Sequence, residues 1–297
     1  MPRFTATRND DTFVDLQGVT VHYYSWLPAK PKAIILIAHG LGEHALRYEH
    51  LAARLNEAGY GVYALDQRGH GATGLAQHGG DTTKLGKLGA GGIVAVQGDL
   101  LFLLKRIRGR HEHLPVGLIG HSWGSLIAQR LLNSNPEAID ALVLSGTAYR
   151  VPGKMNAGDL NARHKHLGTT GFEWLSRDEN VHTLFAEDPL TFAADPAKNF
   201  GYLEAAKLFG RPKRNLRRDV PVHIAIGSDD SLGGTESAQA LAASLRERSK
   251  LSDVSLTVYP GGRHEIFNEL NKDRVMNDTV EWLDQHLIGQ APVAPRR

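Results

Sequence analysis

The sequence predicts an α/β protein with a mostly parallel central sheet, helices on both faces, and a helical segment inserted after a core strand. The first observation is a set of six short runs of β-branched and aliphatic residues that each end in a turn. Runs that are apolar throughout suit strands buried on both faces, as in a parallel sheet covered by helices. The predicted strands are 33–38, 61–65, 116–119, 141–144, 222–226 and 254–259.

The second observation is that helical patterns alternate with these runs. Four segments carry apolar residues at spacings of three and four, which is typical of helices that bury one face. They are 47–58, 92–108, 235–248 and 272–287. The opening stretch 12–26 differs and predicts an antiparallel hairpin that turns near Gln17 and Gly18.

The third observation is a region that breaks the alternation. Residues 147–218, called the insertion below, contain no convincing buried strand but many large apolar side chains. Structureless connections of that length are uncommon, so a packed helical cap over the sheet is predicted. The expected organisation is therefore a core in two parts, 1–146 and 219–289, a cap at 147–218, and a flexible tail at 290–297.

Composition narrows the classes of function. The chain has 297 residues and a formal net charge of +2, which gives no argument for nucleic-acid binding. It has no cysteine, which excludes disulfides and thiolate metal sites. The beginning lacks the apolar core of a secretory signal, and no run approaches the roughly 20 apolar residues of a membrane span. A cytoplasmic location is therefore expected.

Residues 120–124 read Gly-His-Ser-Trp-Gly, between a predicted strand and a helical stretch. In that context the G-x-S-x-G pattern predicts a sharp turn that raises the hydroxyl of Ser122 above the sheet as a nucleophile. Gly120 and Gly124 are small because strand and helix backbones crowd each other there. The alternative is a glycine-rich turn whose serine only caps the helix.

A serine nucleophile needs a base, and the base needs an orienting carboxylate. Both are expected at the carboxyl ends of later strands, in the chain order Ser, acid, His. His264 is the histidine that follows a late core strand, and Asp229 and Asp230 follow the preceding strand. Spacing does not choose between the two aspartates.

The developing oxyanion needs two backbone donors. The predicted donors are the N–H groups of Trp123, next to the nucleophile, and of Leu41, in the loop His-Gly-Leu-Gly-Glu-His at 39–44. His39 and His44 have no third partner at metal-ligand spacing, so structural roles are predicted for both and no metal is expected.

Together these blocks resemble the monoacylglycerol lipase and lysophospholipase branch of the α/β-hydrolase superfamily. The matching blocks are 39–44, 66–71 (Asp-Gln-Arg-Gly-His-Gly), 120–125, 227–230 and 261–265. The resemblance implies an α/β-hydrolase fold, a triad of Ser122, Asp230 and His264, and oxyanion donors at Leu41 and Trp123. It also implies hydrolysis of small-molecule carboxylic esters through an acyl-enzyme, without a cofactor.

The chain departs from the family where Trp123 and Ser125 replace a methionine and a glycine. The aromatic insertion favours esters with an apolar acyl or alkyl group.

Two alternatives are a proline iminopeptidase-like aminopeptidase and a non-catalytic ligand-binding protein on a hydrolase scaffold. Weak membrane-surface contact through a basic cluster near the end of the insertion is a further hypothesis. The cluster consists of Arg211, Lys213, Arg214, Arg217 and Arg218.

Overall fold

The computed structural model describes residues 6–289, and its sheet has eight strands within that range. All six predicted runs form strands, and the predicted hairpin is the antiparallel pair β1 and β2. The strands are β1 Arg8–Val14, β2 Thr20–Trp26, β3 Ile34–Ala38, β4 Gly61–Leu65, β5 Val116–His121, β6 Ala141–Ser145, β7 Val222–Gly227 and β8 Val254–Tyr259. The predicted tail at 290–297 lies outside the described residues.

The strand order is β1-β2-β4-β3-β5-β6-β7-β8, and β3 to β8 are parallel to one another. From β3 the chain first adds β4 on one side and then β5 on the other. The loops after β3 and β5 therefore diverge at a topological switch point, where open α/β sheets form a crevice at the carboxyl ends of their strands. This arrangement positions the loop 39–44 opposite Ser122.

The helices cover both faces of the sheet, as predicted. The helices are α1 Glu49–Glu57, α2 Gly71–Gln77, α3 Gly92–Arg110, α4 Trp123–Ser134, α5 Glu179–Glu187, α6 Pro196–Phe200, α7 Tyr202–Ala206, α8 Gly234–Glu247 and α9 Lys272–Leu283. Leu104 in α3, Ile127 in α4 and Leu241 in α8 belong to the hydrophobic layer on one face, and Leu51 in α1 and Val280 in α9 to the layer on the other. A π-helical turn, Asp284–Ile288, follows α9.

The insertion contains only the short helices α5, α6 and α7 and one 3-10 turn, Lys165–Leu167. Much of it is turns, so it is less helical than expected. It has a small apolar cluster of its own, made by Trp174, Leu175 and Phe185. The division of the chain into core and cap stays a prediction. Among the described residues, every helix is too short or too polar to cross a membrane.

Candidate active site

Ser122 connects β5 to α4 in a strained backbone conformation. Its φ is +51° and its ψ −123°, a region that residues with a side chain rarely adopt. Three backbone bonds hold the turn: the Ser122 N–H donates to the Ser145 carbonyl at 2.9 Å, and the Ser122 carbonyl accepts from the N–H groups of Ser125 and Leu126 at 2.9 and 3.1 Å. Strain of this kind persists only where the surroundings enforce it, which is common at functional sites.

The two glycines of the turn are required by close backbone approach. A Cβ at Gly120 would lie 2.8 Å from the Gly124 carbonyl oxygen. A Cβ at Gly124 would clash with the carbonyl oxygens of Ala38 and His39, at the end of the neighbouring strand β3 and just after it. The crowding predicted from the sequence is therefore present on both sides of Ser122.

Replacing Gly124 with alanine is expected to lower the free energy of unfolding by about 2–3 kcal/mol, because rigid backbone must move to admit the methyl group. Gly98 in α3 is the control, since a Cβ there meets open space. Its replacement by alanine should raise stability by about 1 kcal/mol through helix propensity. Denaturant unfolding measures both. Equal effects of the two substitutions would contradict the steric explanation.

His264 lies in the loop after β8, and its imidazole contacts the loop after β7. His264 Nδ1 lies 2.9 Å from Asp230 Oδ1, and both side chains are buried. The same carboxylate oxygen accepts the Leu232 N–H at 2.8 Å, which fixes its direction. Asp229 points elsewhere and pairs with Arg163 and His164 of the insertion. Of the two aspartates that spacing left open, only Asp230 is within hydrogen-bond distance of His264.

The electrostatics of this pair suit a general base. Burial lowers the pKa of His264, but the charge of Asp230 and its hydrogen bond outweigh burial, so the pKa is raised above its ordinary value. Burial conversely raises the pKa of Asp230, and His264 lowers it below the ordinary value. A carboxylate can only accept, so Nδ1 carries the proton. His264 Nε2 is buried, has no protein hydrogen-bond partner, and is the basic atom.

Both predicted oxyanion donors belong to residues that line the same cavity as Ser122. Trp123 is the first residue of α4, where a backbone N–H has no partner within the helix. In the opposing loop the Gly40 N–H is already donated to the Glu43 carboxylate at 2.5 Å. The Gly42 carbonyl accepts from the Phe192 N–H at 2.9 Å. Leu41 is thus held between two anchored glycines.

Three charged side chains that the sequence analysis did not identify stabilise the loop 39–44. The Arg47 guanidinium bridges the buried carboxylates of Glu43 and Glu265 at 2.5 and 2.7 Å. Burial raises the pKa of Glu265, but Arg47 outweighs it and holds the value at about 2. Glu265 adjoins His264, so the bridge connects the loop 39–44 with the loop that carries His264. Glu43 and Glu265 lie in the recognised blocks, but nothing in their spacing indicated the pairing.

The two histidines of the loop 39–44 make structural contacts. His39 Nε2 accepts the Gln67 N–H at 3.0 Å, and His44 Nε2 lies 2.8 Å from Asp188. Among the described residues, one buried group of side chains, Glu43, His121 and Glu265, has the spacing of metal ligands. The Arg47 guanidinium already supplies the positive charge between its two carboxylates.

A cavity of about 660 Å³ borders Ser122, Leu41 and Trp123. Its wall is mostly apolar, and a large part of it comes from the insertion. Large apolar side chains that line it include Leu126, Met155, Phe172, Tyr202, Phe209 and Leu232. The sequence indicated an apolar site but not which residues of the insertion form it, because this segment has no regular periodicity.

The basic cluster near the end of the insertion contacts the end of α4 that is remote from Ser122. The Lys213 N–H donates to Asn133 Oδ1 at 2.8 Å, and Asn133 is near the carboxyl end of α4. Ser122 precedes the other end of that helix, roughly 18 Å away at 1.5 Å per residue. Arg218 is paired with Asp140. Membrane contact through this cluster stays a prediction.

Comparisons with known proteins identify the family of the chain. The Hydrolase_4 family, described as serine aminopeptidase, S33, matches residues 29–271. A monoacylglycerol lipase of Mycolicibacterium smegmatis is 32% identical, with 95% of this chain and 99% of the relative aligned. Human monoglyceride lipase is 28% identical over 95% of this chain and 92% of its own.

Solved structures give the same fold. A thermostable carboxyl esterase from Bacillus coagulans superposes with a TM-score of 0.81 at 24% identity, covering 94% of this chain and 99% of the esterase. At that identity the likeness shows the fold alone. With the family match and the lipase relatives, it leads to one conclusion. The chain belongs to the Hydrolase_4 family of α/β-hydrolases, and its relatives include the monoacylglycerol lipases.

Proposed function

We propose that this chain hydrolyses carboxylic monoesters with one apolar acyl chain, through an acyl-enzyme formed on Ser122. The similarity of the chain to monoacylglycerol lipases supports a lipase or esterase function. The observation that supports the finer proposal is the buried His264–Asp230 pair, whose imidazole packs on Trp174, a residue that lines the same apolar cavity as Ser122. In this proposal His264 is the base, Asp230 orients it, and the Leu41 and Trp123 N–H groups bind the oxyanion.

The mechanism is acyl transfer in two steps. His264 Nε2 takes the Ser122 proton as Oγ attacks the ester carbonyl, and the two backbone N–H groups stabilise the negative oxygen. The tetrahedral intermediate collapses, and the imidazolium protonates the departing alcohol. Water then attacks the acyl-enzyme with His264 again as base, which releases the acid and restores Ser122. Asp230 remains ionised and stabilises the imidazolium throughout.

The substrate class follows from the cavity. A volume of about 660 Å³ is within the usual range for one small ligand, and its wall is predominantly apolar. We propose that the insertion acts as the cap, because residues from Met155 to Phe209 line the cavity beside Ser122. A single acyl chain fits this description better than a bulky triester. Two of the relatives are named as lipases of monoacylglycerols, so monoacylglycerols are the first substrates to test.

An ester panel that varies the acyl and alcohol groups independently tests the proposal. Each methylene that the apolar wall removes from water contributes about 0.8 kcal/mol, or roughly a fourfold gain in kcat/KM. We expect kcat/KM to rise with acyl length from acetyl until the cavity is filled, and to change little across small alcohols. Rates that ignore acyl length would contradict the assignment of the cavity to the acyl group.

The two alternatives are less well supported. The loop at 39–44 lacks the His-Gly-Gly-Pro-Gly pattern typical of proline iminopeptidases, and the curated relatives described above are lipases. Prolyl p-nitroanilide and p-nitrophenyl esters compared side by side would separate amide from ester hydrolysis. A non-catalytic binder would give at most one stoichiometric burst, whereas the proposed mechanism gives steady turnover. A cytoplasmic location stays a prediction.

A further inference from the structure

A short stretch of the insertion, residues 173–177, lies directly against the loop that carries His264. The His264 N–H donates to the Trp174 carbonyl at 3.3 Å, and the Glu265 N–H donates to the Leu175 carbonyl at 2.7 Å. The Trp174 indole packs on the imidazole, with ring centroids 4.7 Å apart. The backbone and the imidazole ring of His264 are thus both in contact with the insertion.

One buried carboxylate ties these two chain segments together. Glu269 is fully buried and accepts the Arg263 N–H at 2.8 Å and the Arg177 N–H at 3.0 Å. It also pairs with Arg177 Nε at 2.9 Å and accepts the Leu270 N–H at 3.0 Å. A buried charge is stable only when it is paired and hydrogen-bonded, and these four donors meet that condition.

Arg263 reinforces the connection from the other side. Its Nη1 donates to the carbonyls of Glu173 and Ser176 at 2.6 and 2.8 Å. The residue immediately before His264 is therefore bound to Glu269 through its backbone and to the insertion through its side chain. Movement of stretch 173–177 has to be transmitted to the imidazole.

We propose that Glu269 and Arg177 are positioning residues that hold His264 in line for proton transfer from Ser122. This inference rests on the proposed function. Asp230 fixes one edge of the imidazole, while Glu269 fixes the backbone that carries it and keeps Trp174 on its ring. Small misplacements of a reacting group are costly, and an error of about 1 Å can reduce a rate 100-fold. Neither Glu269 nor Arg177 touches the reacting atoms.

The test is the pair of variants Glu269→Gln and Arg177→Met, with Asp140→Asn as the matched control. Asp140 is likewise a carboxylate that binds two arginines and one backbone N–H, but it is half-buried and lies at the opposite ends of the strands. We expect kcat to fall 10- to 100-fold in Glu269→Gln and somewhat less in Arg177→Met, with KM within about twofold. Asp140→Asn should lose thermal stability with kcat unchanged.

Two further readouts separate positioning from loss of fold. Labelling of Ser122 by a small fluorophosphonate should slow by the same factor as kcat, at a temperature where far-UV circular dichroism shows each variant folded. The acid limb of the pH profile should keep its midpoint, because Asp230 still contacts His264. Arg177→Lys, which retains the cation, should recover part of the rate.

The outcomes are distinguishable. If the wild-type protein itself neither turns over esters nor reacts with fluorophosphonate, the proposed function fails. If the wild type reacts and Arg177→Met reacts equally fast while folded, the positioning role is overturned, whatever happens to the stability of Glu269→Gln.

Discussion

Replacing Ser122 with alanine is expected to reduce ester hydrolysis by roughly 10⁴- to 10⁶-fold and to remove fluorophosphonate labelling, while the protein still folds. The hydroxyl is the only part of the side chain that the change removes. His264, Asp230 and the two backbone N–H groups remain, so the residual rate reports what binding and these groups contribute without the nucleophile. Initial-rate kinetics and mass spectrometry of the labelled protein measure the two effects.

A second substitution at the same position checks the strain. Glycine adopts a φ of +51° without penalty, whereas alanine does not. Ser122→Gly should therefore be as inactive as Ser122→Ala but more stable than it by about 1 kcal/mol. A protein that hydrolyses esters at the wild-type rate with either substitution would refute Ser122 as the nucleophile.

Replacing Asp230 with asparagine is expected to reduce kcat about 10⁴-fold. Asparagine can donate to the imidazole where aspartate only accepts, which favours the wrong tautomer and places the proton on Nε2. The charge that stabilises the imidazolium is also lost. Asp229→Asn is the control, because Asp229 pairs with Arg163 and His164 rather than with His264. It should change kcat by less than tenfold, and equal losses in the two variants would reject the assignment.

The same substitution is also expected to shift the pH profile of the reaction in a defined direction. The base works only when neutral, so activity falls as pH decreases through the pKa of His264. Asp230 raises that pKa, so the wild-type acid limb is expected above the ordinary histidine value of about 6.5. In Asp230→Asn burial dominates and lowers the pKa of His264. The acid limb of the residual kcat/KM should then move to lower pH.

The candidate site could largely be located from the sequence because its residues follow strand ends. A buried apolar run predicts a strand, and the residues that follow it lie at the carboxyl edge of the sheet, so Ser122 and His264 were candidates from local patterns alone. The choice between Asp229 and Asp230 did not. Adjacent residues differ only in side-chain direction, which tertiary contacts decide: the Leu232 N–H and His264 hold one, and the insertion holds the other.

The insertion was harder to predict for a physical reason. Much of its order comes from single side chains that bind backbone groups rather than from a repeating apolar face. Glu173, for example, accepts from the Thr170 N–H and from Asn161 Nδ2. Such pairings have no period in the sequence, so the helical content there was overestimated. Glu269 and Arg177, 92 positions apart, are found only in the folded chain.

The contact between Phe192 and Gly42 bears on how this protein could be redesigned. Through it the insertion holds the loop 39–44, and through residues 173–177 it also holds the loop that carries His264. Chimeras that exchange the whole insertion with a relative would therefore exchange two supports of the proposed active site along with the proposed acyl pocket. Grafts that retain both points of attachment and vary only the intervening wall are the better route to a new ester preference.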